Sequence, residues 1–212
     1  MITRKIKFKQ LSGIFATGLT LVTTIFTVCA NSLPNAQAQS TIDVTRSAGE
    51  FRIEPNRQIF FYPADGRSNP VRVYDGTQRV LAIVGYNGAI YTAFENGGIY
   101  RSPNGQNLGG GGSTTRLYLG QKVVAMLACR GGLYTAFDGA GIYYSPDGQN
   151  PGGGGRTRKV YDGTQLVRRM LCDRGSGING TDSVITTFSS GGVYQSKDGN
   201  NLGGGGNTVR LN

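Results

Sequence analysis

The chain of 212 residues lacks histidine and tryptophan and has only three cysteines. Without histidine it cannot build a Ser-His-Asp or Cys-His catalytic site, or a metal site with imidazole ligands. Without tryptophan, a sugar-binding site would have to stack its ligand on tyrosine. No helical period is sustained beyond the N-terminal segment, which argues against a helical fold. Glycine, in contrast, is abundant at 35 residues, and it recurs at regular intervals.

The N-terminal segment has the composition of a secretory signal peptide. Residues 1–10 are basic, residues 11–30 form a mostly apolar run, and Ala36-Gln37-Ala38 supplies a small-x-small cleavage pattern. We predict a signal peptide over 1–38, which would direct the mature chain to the periplasm or the extracellular space. The alternative is an uncleaved anchor, since an apolar run of about 20 residues nearly spans a bilayer. After cleavage, no membrane span is expected.

The net charge is modest once this segment is set aside. The whole chain has a formal charge of +10, and the mature chain keeps 18 basic residues against 12 acidic ones, a net charge of +6. These charges are mixed along the sequence, whereas a nucleic-acid partner would require a basic stripe or cluster. We therefore predict no nucleic-acid binding. Weak attraction to anionic polysaccharide or a cell surface is compatible with the composition.

One sequence pattern occurs three times between residues 98 and 206. The segments "GIYRSPNGQNLGGGG", "GIYYSPDGQNPGGGG" and "GVYQSKDGNNLGGGG" each join an aromatic strand, an Asx-Gly turn and four glycines. A degenerate fourth copy is obtained when residues 50–66 are aligned with 89–105 without a gap, which places Phe60-Phe61 on Ile99-Tyr100. We predict a single domain over 39–212 made of four units, about 41–76, 80–120, 123–163 and 166–212.

Each unit contains four short segments of strand composition, rich in Val, Ile, Tyr, Phe and Thr and separated by Gly, Asn and Asp. A single four-stranded sheet cannot bury both of its faces, whereas sheets arranged around a common axis bury them against one another. The predicted fold is all-β, a small β-propeller with four blades of four antiparallel strands. A β-trefoil, with three units, and an open array of blades are the alternatives.

In such a propeller the first segment of each unit is the innermost strand. These segments are "TIDVT" (41–45), "VLAIV" (80–84), "VVAML" (123–127) and "VRRML" (167–171). Cys129 and Cys172 follow the last two, in neighbouring blades. A disulfide between them is one prediction for an oxidising compartment, and two separate thiols is the other.

The segments "YRSPNGQN", "YYSPDGQN" and "YQSKDGNN" resemble the Asp-box turn of sialidase-like and related propellers. The resemblance implies a hairpin between the third and fourth strands of a blade, and a structural role remote from catalysis. Departures from the motif are the absence of tryptophan and Pro63 in the place of the serine in the first unit. A sialidase-type active site would require an arginine triad, a tyrosine nucleophile and an acidic partner. The arginines and tyrosines here recur with the repeat, and they do not form one distinct cluster.

The turn also has a physical explanation that does not depend on its resemblance to the Asp-box. An Asp or Asn side chain accepts hydrogen bonds from nearby backbone amides, the next glycine adopts the left-handed conformation, and a serine hydroxyl adds a local bond. The glycine run lets the backbone pass close to a neighbouring blade. A phosphate loop is not predicted, because the glycines do not open a helix and no Gly-Lys-Ser/Thr sequence follows them. No cofactor and no metal ligand set are predicted, and nothing supports structural calcium. The predicted structural turns are Asp65, Asn104, Asp147 and Asp198.

The function predicted first is a secreted, non-enzymatic binding module for carbohydrate or for a cell surface or matrix. Near-identical units present near-identical surfaces, so weak sites gain by avidity. The alternatives are a protein-interaction scaffold and, less favoured, a glycoside hydrolase of sialidase-like type; a hydrolase with a pair of carboxylates is also left open. The competing interpretation of the candidate ligand residues is packing between blades and closure of turns. These candidates are Arg101, Asn107, Tyr144, Asn150, Gln195 and Asn201.

Overall fold

The computed structural model describes residues 49–212 together with the backbone of Val28–Cys29. The rest of the predicted signal peptide and the predicted innermost strand of the first unit, 41–45, lie outside the described residues. No helix in the described part of the chain is long and apolar enough to cross a membrane.

The described residues form β-strands and a single short 3₁₀ turn, Ile178–Gly180. Their strand composition, broken by glycine and Asx turns, leaves no room for longer helices. In chain order the strands are β1 (Val28–Cys29), β2 (Gly49–Ile53), β3 (Ile59–Pro63), β4 (Val71–Tyr74), β5 (Val80–Tyr86), β6 (Ala89–Phe94), β7 (Ile99–Ser102), β8 (Thr115–Tyr118), β9 (Val123–Cys129), β10 (Gly132–Phe137), β11 (Gly141–Ser145), β12 (Arg158–Tyr161), β13 (Val167–Asp173), β14 (Ser183–Phe188), β15 (Val193–Ser196) and β16 (Thr208–Arg210).

The strands form four antiparallel sheets, in which each strand pairs with the next along the chain. We name them blade 1 (β2–β4), blade 2 (β5–β8), blade 3 (β9–β12) and blade 4 (β13–β16). The innermost strands β5, β9 and β13 contact one another in that order. The short strand β1 pairs with β5 on the side away from β6, and it also contacts β9 and β13. The predicted all-β, four-bladed propeller is confirmed, and the three-unit β-trefoil is wrong.

Apolar side chains join consecutive blades into a continuous core. Alternate residues of each strand point to opposite faces of a blade, so every inner blade buries one face against the blade before it and one against the blade after it. Clusters of buried side chains lie between blades 1 and 2, between blades 2 and 3, and between blades 3 and 4. Their members include Phe51, Ile90 and Phe94 in the first cluster, Tyr91, Met126 and Phe137 in the second, and Tyr134, Met170 and Phe188 in the third.

The glycine runs complete these three contacts. A Cβ atom added to Gly109 would collide with the ring of Tyr74 on the preceding blade, and Gly203 lies against Tyr161 in the same way. Next to these glycines, the amide of Leu108 donates to the carbonyl of Val73, a hydrogen bond between blades 1 and 2. Only a residue without a side chain lets the backbone lie on the tyrosine ring, which explains the recurrence of the run.

Blade 1 aligns with the other blades one residue away from the predicted position. Ile59 pairs with Tyr74 as Ile99 pairs with Tyr118. The amide of Glu54 donates to the carbonyl of Gln58 as the amide of Phe94 donates to that of Gly98. Ile59-Phe60 therefore match Ile99-Tyr100, and the predicted match of Phe60-Phe61 is wrong. A shift of one residue exchanges the two faces of a strand, so it changes which side chains meet the neighbouring blade.

Cys129 at the end of β9 and Cys172 in β13 form a disulfide, with a Cα–Cα distance of 5.6 Å. The bond crosses from blade 3 to blade 4 beside the apolar cluster that joins them. Of the two arrangements that the sequence left open, the structure contains the disulfide.

Candidate functional site

The Asx residues predicted as structural turns organise their own loops. In blade 3 the Asp147 Oδ1 atom accepts hydrogen bonds from the Ser145 hydroxyl at 3.1 Å and from the Gln149 amide at 2.9 Å. Asn104 and Asp198 make the corresponding bonds in blades 2 and 4. Asp65, in blade 1, accepts from the amides of Arg67 and Ser68, both at 3.0 Å. The hydrogen bonding is therefore that expected of a structural turn.

Hydrogen bonds also keep these carboxylates charged. The amide of Gln149 contributes most to lowering the pKa of Asp147. Burial alone would raise the pKa of Asp198, but hydrogen bonds from Asn207, Asn200 and Ser196 outweigh it and lower the pKa.

Each of these turns in blades 3 and 4 docks on the blade before it. The Tyr86 hydroxyl donates to the carbonyl of Pro146 at 2.6 Å, which ties the blade 3 turn to blade 2. The Tyr134 hydroxyl donates to the carbonyl of Gly199 at 3.3 Å, which ties the blade 4 turn to blade 3. Burial of the Tyr134 side chain raises the pKa of its hydroxyl, so the hydroxyl remains a donor at neutral pH.

The three candidate asparagines close the turns that begin the glycine runs. The carbonyl of Asn107 accepts from the amide of Gly110 at 2.9 Å, and Asn150 and Asn201 make the same bond to Gly153 and Gly204. Asn107 also lines a shallow pocket of about 270 Å³ between blades 1 and 2. The aromatic residue of that pocket, Tyr74, is covered by Gly109 and hydrogen-bonded to Gln78, so its ring face is not available for stacking on a sugar.

The other three candidates occupy one equivalent position on the third strand of their blades, as the sequence predicts, but their contacts differ. The Tyr144 ring packs on Tyr134 with a centroid distance of 4.7 Å, and its hydroxyl donates to the carbonyl of Arg130. Gln195 Nε2 donates to Asp173, Ser176 and Ser183 within blade 4. The Nε atom of Arg101 is buried without a hydrogen-bond partner. The side chains of Tyr144 and Gln195 are engaged inside their own blades, and the structure does not gather the three candidates into one site.

One face of blade 1 carries side chains that differ in character from those at the equivalent positions of blade 2. On the side of blade 1 that faces away from blade 2, the corrected alignment places Glu50, Arg52 and Glu54 where blade 2 has Ile90, Thr92 and Phe94. The blade 2 residues are at most 1% exposed. The blade 1 residues are half-buried or exposed. Charged side chains therefore occupy positions that form the dry core elsewhere.

These charged side chains interact with one another along the strands. Arg52 Nη2 donates to Glu50 Oε2 at 3.1 Å, and its guanidinium lies 4.2 Å from the centroid of the Tyr62 ring. The Tyr62 hydroxyl donates to Glu54 Oε1 at 3.0 Å, and this bond raises the pKa of Tyr62. The result is a charged ladder with the half-buried ring of Phe60 beside it.

Blade 4 changes in the same way on the side that faces away from blade 3. Arg169 occupies the position of Ala82 and Ala125, which are buried, and Arg168 precedes it on the same strand. Both arginines are exposed. Further along this face the side chains are only half-buried: Leu171, Asp173, Ile185, Thr187 and Val193. We call the two surfaces together, the blade 4 face and the blade 1 face, the fourth junction.

The fourth junction also lacks the parts that complete the other three. Blade 1 has no glycine run after its turn, and blade 4 has Asn212 where the preceding blades have Tyr74, Tyr118 and Tyr161. Leu211, equivalent to the buried residues Val73 and Val160, is 51% exposed. Within the described residues, no apolar cluster joins blade 4 to blade 1. This surface is the candidate functional site, because residues at the core positions of the repeat are charged or exposed here and do not pack one blade against another.

Of the ligand residues predicted from the sequence, Gln195 contacts this surface, through Asp173, and one further signal was visible in the sequence. "VRRML" carries two arginines where "VLAIV" and "VVAML" are apolar. The acidic residues of blade 1 could not be recognised, because the predicted alignment was wrong by one residue and so assigned them to the opposite face of the strand.

Comparison with known proteins finds one distant structural similarity among solved structures. No model of a known protein family matches the chain, and no curated protein matches it. Among solved structures, the chain is similar to BBS1N in the crystal structure of its complex with ARL6DN, soaked with lead, with a TM-score of 0.47 and 14% identity. The match covers 87% of this chain and 54% of that chain, so this chain spans about half the length of the protein it matches.

Proposed function

We propose that this protein is a secreted, non-enzymatic protein-binding module whose partner docks at the fourth junction. The observation that carries the proposal is the replacement of core residues by charged ones on both surfaces of this junction. Blade 1 presents Glu50 and Glu54, and blade 4 presents Arg168 and Arg169, at positions that are apolar in the repeat.

The energetics of the surface favour a protein partner. Half-buried Leu171, Ile185 and Val193 offer apolar area whose removal from water stabilises a complex, at about 25 cal/mol per Å². The neighbouring arginines can each hold a carboxylate by two hydrogen bonds. An interface with an apolar centre and a charged rim is the usual composition of a protein–protein contact. The expected partner is a polypeptide that brings acidic side chains to the arginines of blade 4.

Two other functions have less support. Carbohydrate binding relied on residues that the structure engages in turns and blade packing, and it remains a prediction to be tested alongside. A glycoside hydrolase would need two carboxylates facing a common cleft. The acids of blade 1 at the fourth junction instead bind Arg52 and Tyr62.

The experiment is capture of partners from the extracellular or periplasmic fraction of the source cells, followed by titration calorimetry of the purified pair. The variant Arg168→Glu/Arg169→Glu reverses the charge of the blade 4 face. Its matched control, Arg116→Glu/Arg158→Glu, makes the same change at exposed arginines on the outer strands of blades 2 and 3. Loss of a desolvated charge pair costs about 2–5 kcal/mol, so we expect the junction variant to raise Kd at least about thirtyfold. The control should change Kd less than about threefold.

Two outcomes would contradict the proposal. Equal Kd values for the junction variant and the wild type would place the partner elsewhere on the propeller. No protein captured at stoichiometric yield, together with saccharide binding on a glycan array, would favour the carbohydrate function.

A further inference from the structure

The disulfide lies in a cluster of side chains that only blade 4 provides. Asp182 belongs to the loop between β13 and β14, which is longer than the corresponding turns Asn87-Gly88 and Arg130-Gly131 of blades 2 and 3. Asp182 Oδ2 lies 3.6 Å from Cys172 Sγ. One carboxylate oxygen and the two sulfur atoms of Cys129 and Cys172 all lie within 4.8 Å of one another.

The surroundings hold these three residues in place without the disulfide. The apolar cluster between blades 3 and 4, which includes Met170 and Phe188, fixes β9 and β13 side by side. The amide of Gly175 donates to Asp182 Oδ1 at 3.3 Å. Arg130, from the first turn of blade 3, donates to the carbonyls of Asp182 and Lys197. Opening the S–S bond would therefore let the two sulfurs move apart to non-bonded distance while the strands that carry them stay side by side, with the Asp182 carboxylate next to them.

We propose that reduction of the Cys129–Cys172 disulfide converts this cluster into a site for a thiophilic divalent cation, with two thiolates and the Asp182 carboxylate as ligands. Zn²⁺ accepts this combination of sulfur and oxygen ligands, and water fills its fourth position. A dithiol reduces the disulfide by supplying two electrons and two protons and is itself oxidised to a disulfide. A phosphine supplies the two electrons, while water supplies the two protons and the oxygen of the phosphine oxide. Binding of the cation then displaces the two thiol protons to solvent.

Access and charge are compatible with such a site. Cys172 and Asp182 are half-buried, so a cation can reach them from solvent, while Cys129 is 5% exposed and provides a ligand from inside. Two thiolates and a carboxylate exceed the charge of a divalent cation by one. The guanidinium of Arg130, bound to the backbone of Asp182, offsets that excess.

The experiment uses the purified full chain with Cys29→Ser, so that Cys129 and Cys172 are its only thiols. The protein is reduced with a phosphine, the reductant is removed without oxygen, and CdCl₂ is titrated in while the ultraviolet thiolate-to-cadmium charge-transfer band is recorded. We expect one Cd²⁺ per reduced chain and no band for the oxidised protein. Competition with Zn²⁺ should remove the band.

The variants separate this site from adventitious thiol binding. Asp182→Asn keeps both cysteines and should weaken Cd²⁺ binding at least about tenfold, since even outer ligands contribute that much. Asp138→Asn, an exposed acid of a blade 3 turn, is the matched control and should leave the affinity unchanged. Cys172→Ser should abolish the band. Absence of Cd²⁺ binding by the reduced protein, or equal affinity in Asp182→Asn and the wild type, would overturn the proposal.

Discussion

The junction between blades 3 and 4 and the fourth junction are made by the same repeat with opposite results. At the former, Met170 and Phe188 are buried against apolar residues of blade 3, and a tyrosine, a glycine run and a disulfide complete the contact. At the latter, charged residues occupy the equivalent positions and the apolar residues stay half-exposed. A repeat can thus hold the fold together at most of its interfaces and leave one surface available for another function.

The largest expected difference between the two regions is the cost of removing a phenylalanine. Phe188 is 1% exposed in the cluster between blades 3 and 4, and Phe188→Ala should lower the free energy of unfolding by about 3–5 kcal/mol. Phe60→Ala, at the half-buried ring of the fourth junction, should cost about 1 kcal/mol. Urea denaturation measures both. Similar costs would mean that the fourth junction is packed as tightly as the others.

Loss of the disulfide should have the next largest effect on stability. It joins residues that are 43 positions apart, and its loss in Cys129→Ser/Cys172→Ser should destabilise the protein by about 2–4 kcal/mol. Phosphine reduction of the wild type should give the same decrease in denaturation midpoint. A midpoint that does not change would show that the apolar cluster alone holds blades 3 and 4 together.

Disruption of the contact between Gly203 and the Tyr161 ring should have an intermediate effect on stability. The Cβ of Gly203→Ala would collide with the Tyr161 ring, so the substitution should cost about 1–3 kcal/mol through overpacking. In a Tyr161→Ala background the same substitution should cost less than about 0.5 kcal/mol, because the ring is gone. Equal costs in both backgrounds would contradict a packing role for the glycine run.

The smallest effect should be a change in acid sensitivity. The pKa of Asp198 in the folded protein is lower than its ordinary value of 3.8, so the unfolded state binds the proton more tightly. The stability from this carboxylate is present above pH 3.8 and is lost as pH falls below it toward the folded-state pKa. Asp198→Asn should therefore lower stability at neutral pH and make its decrease below pH 3.8 shallower. Unfolding midpoints measured from pH 7 to pH 2 provide the test, and parallel curves for variant and wild type would contradict it.

The sequence contained enough information for the fold because its strands and turns are local. Alternating Val, Ile, Tyr and Thr between Asx-Gly turns predict strands, and repetition of the unit predicts the number of blades. The turn at Asp147 could be predicted with its hydrogen bonds, because an aspartate needs only its own neighbours to make them.

The candidate site could not be predicted with the same success. Tyr144 and Gln195 looked like ligand residues because aromatic and amide side chains on a repeated surface suit a sugar. Whether a strand side chain meets solvent or the next blade depends on register, and one residue of error at Phe60 reverses it. The polar surface of blade 1 became visible only through the pairing of Ile59 with Tyr74.

The sequence by itself determined the four units, their strands and their turns, because these depend on residues close together in the chain. The tertiary structure decided which faces are buried, that Cys129 and Cys172 are bonded, and that Asp182 lies beside them. The physical reason is that burial and proximity between blades are properties of residues far apart in sequence, brought together only when the sheets pack.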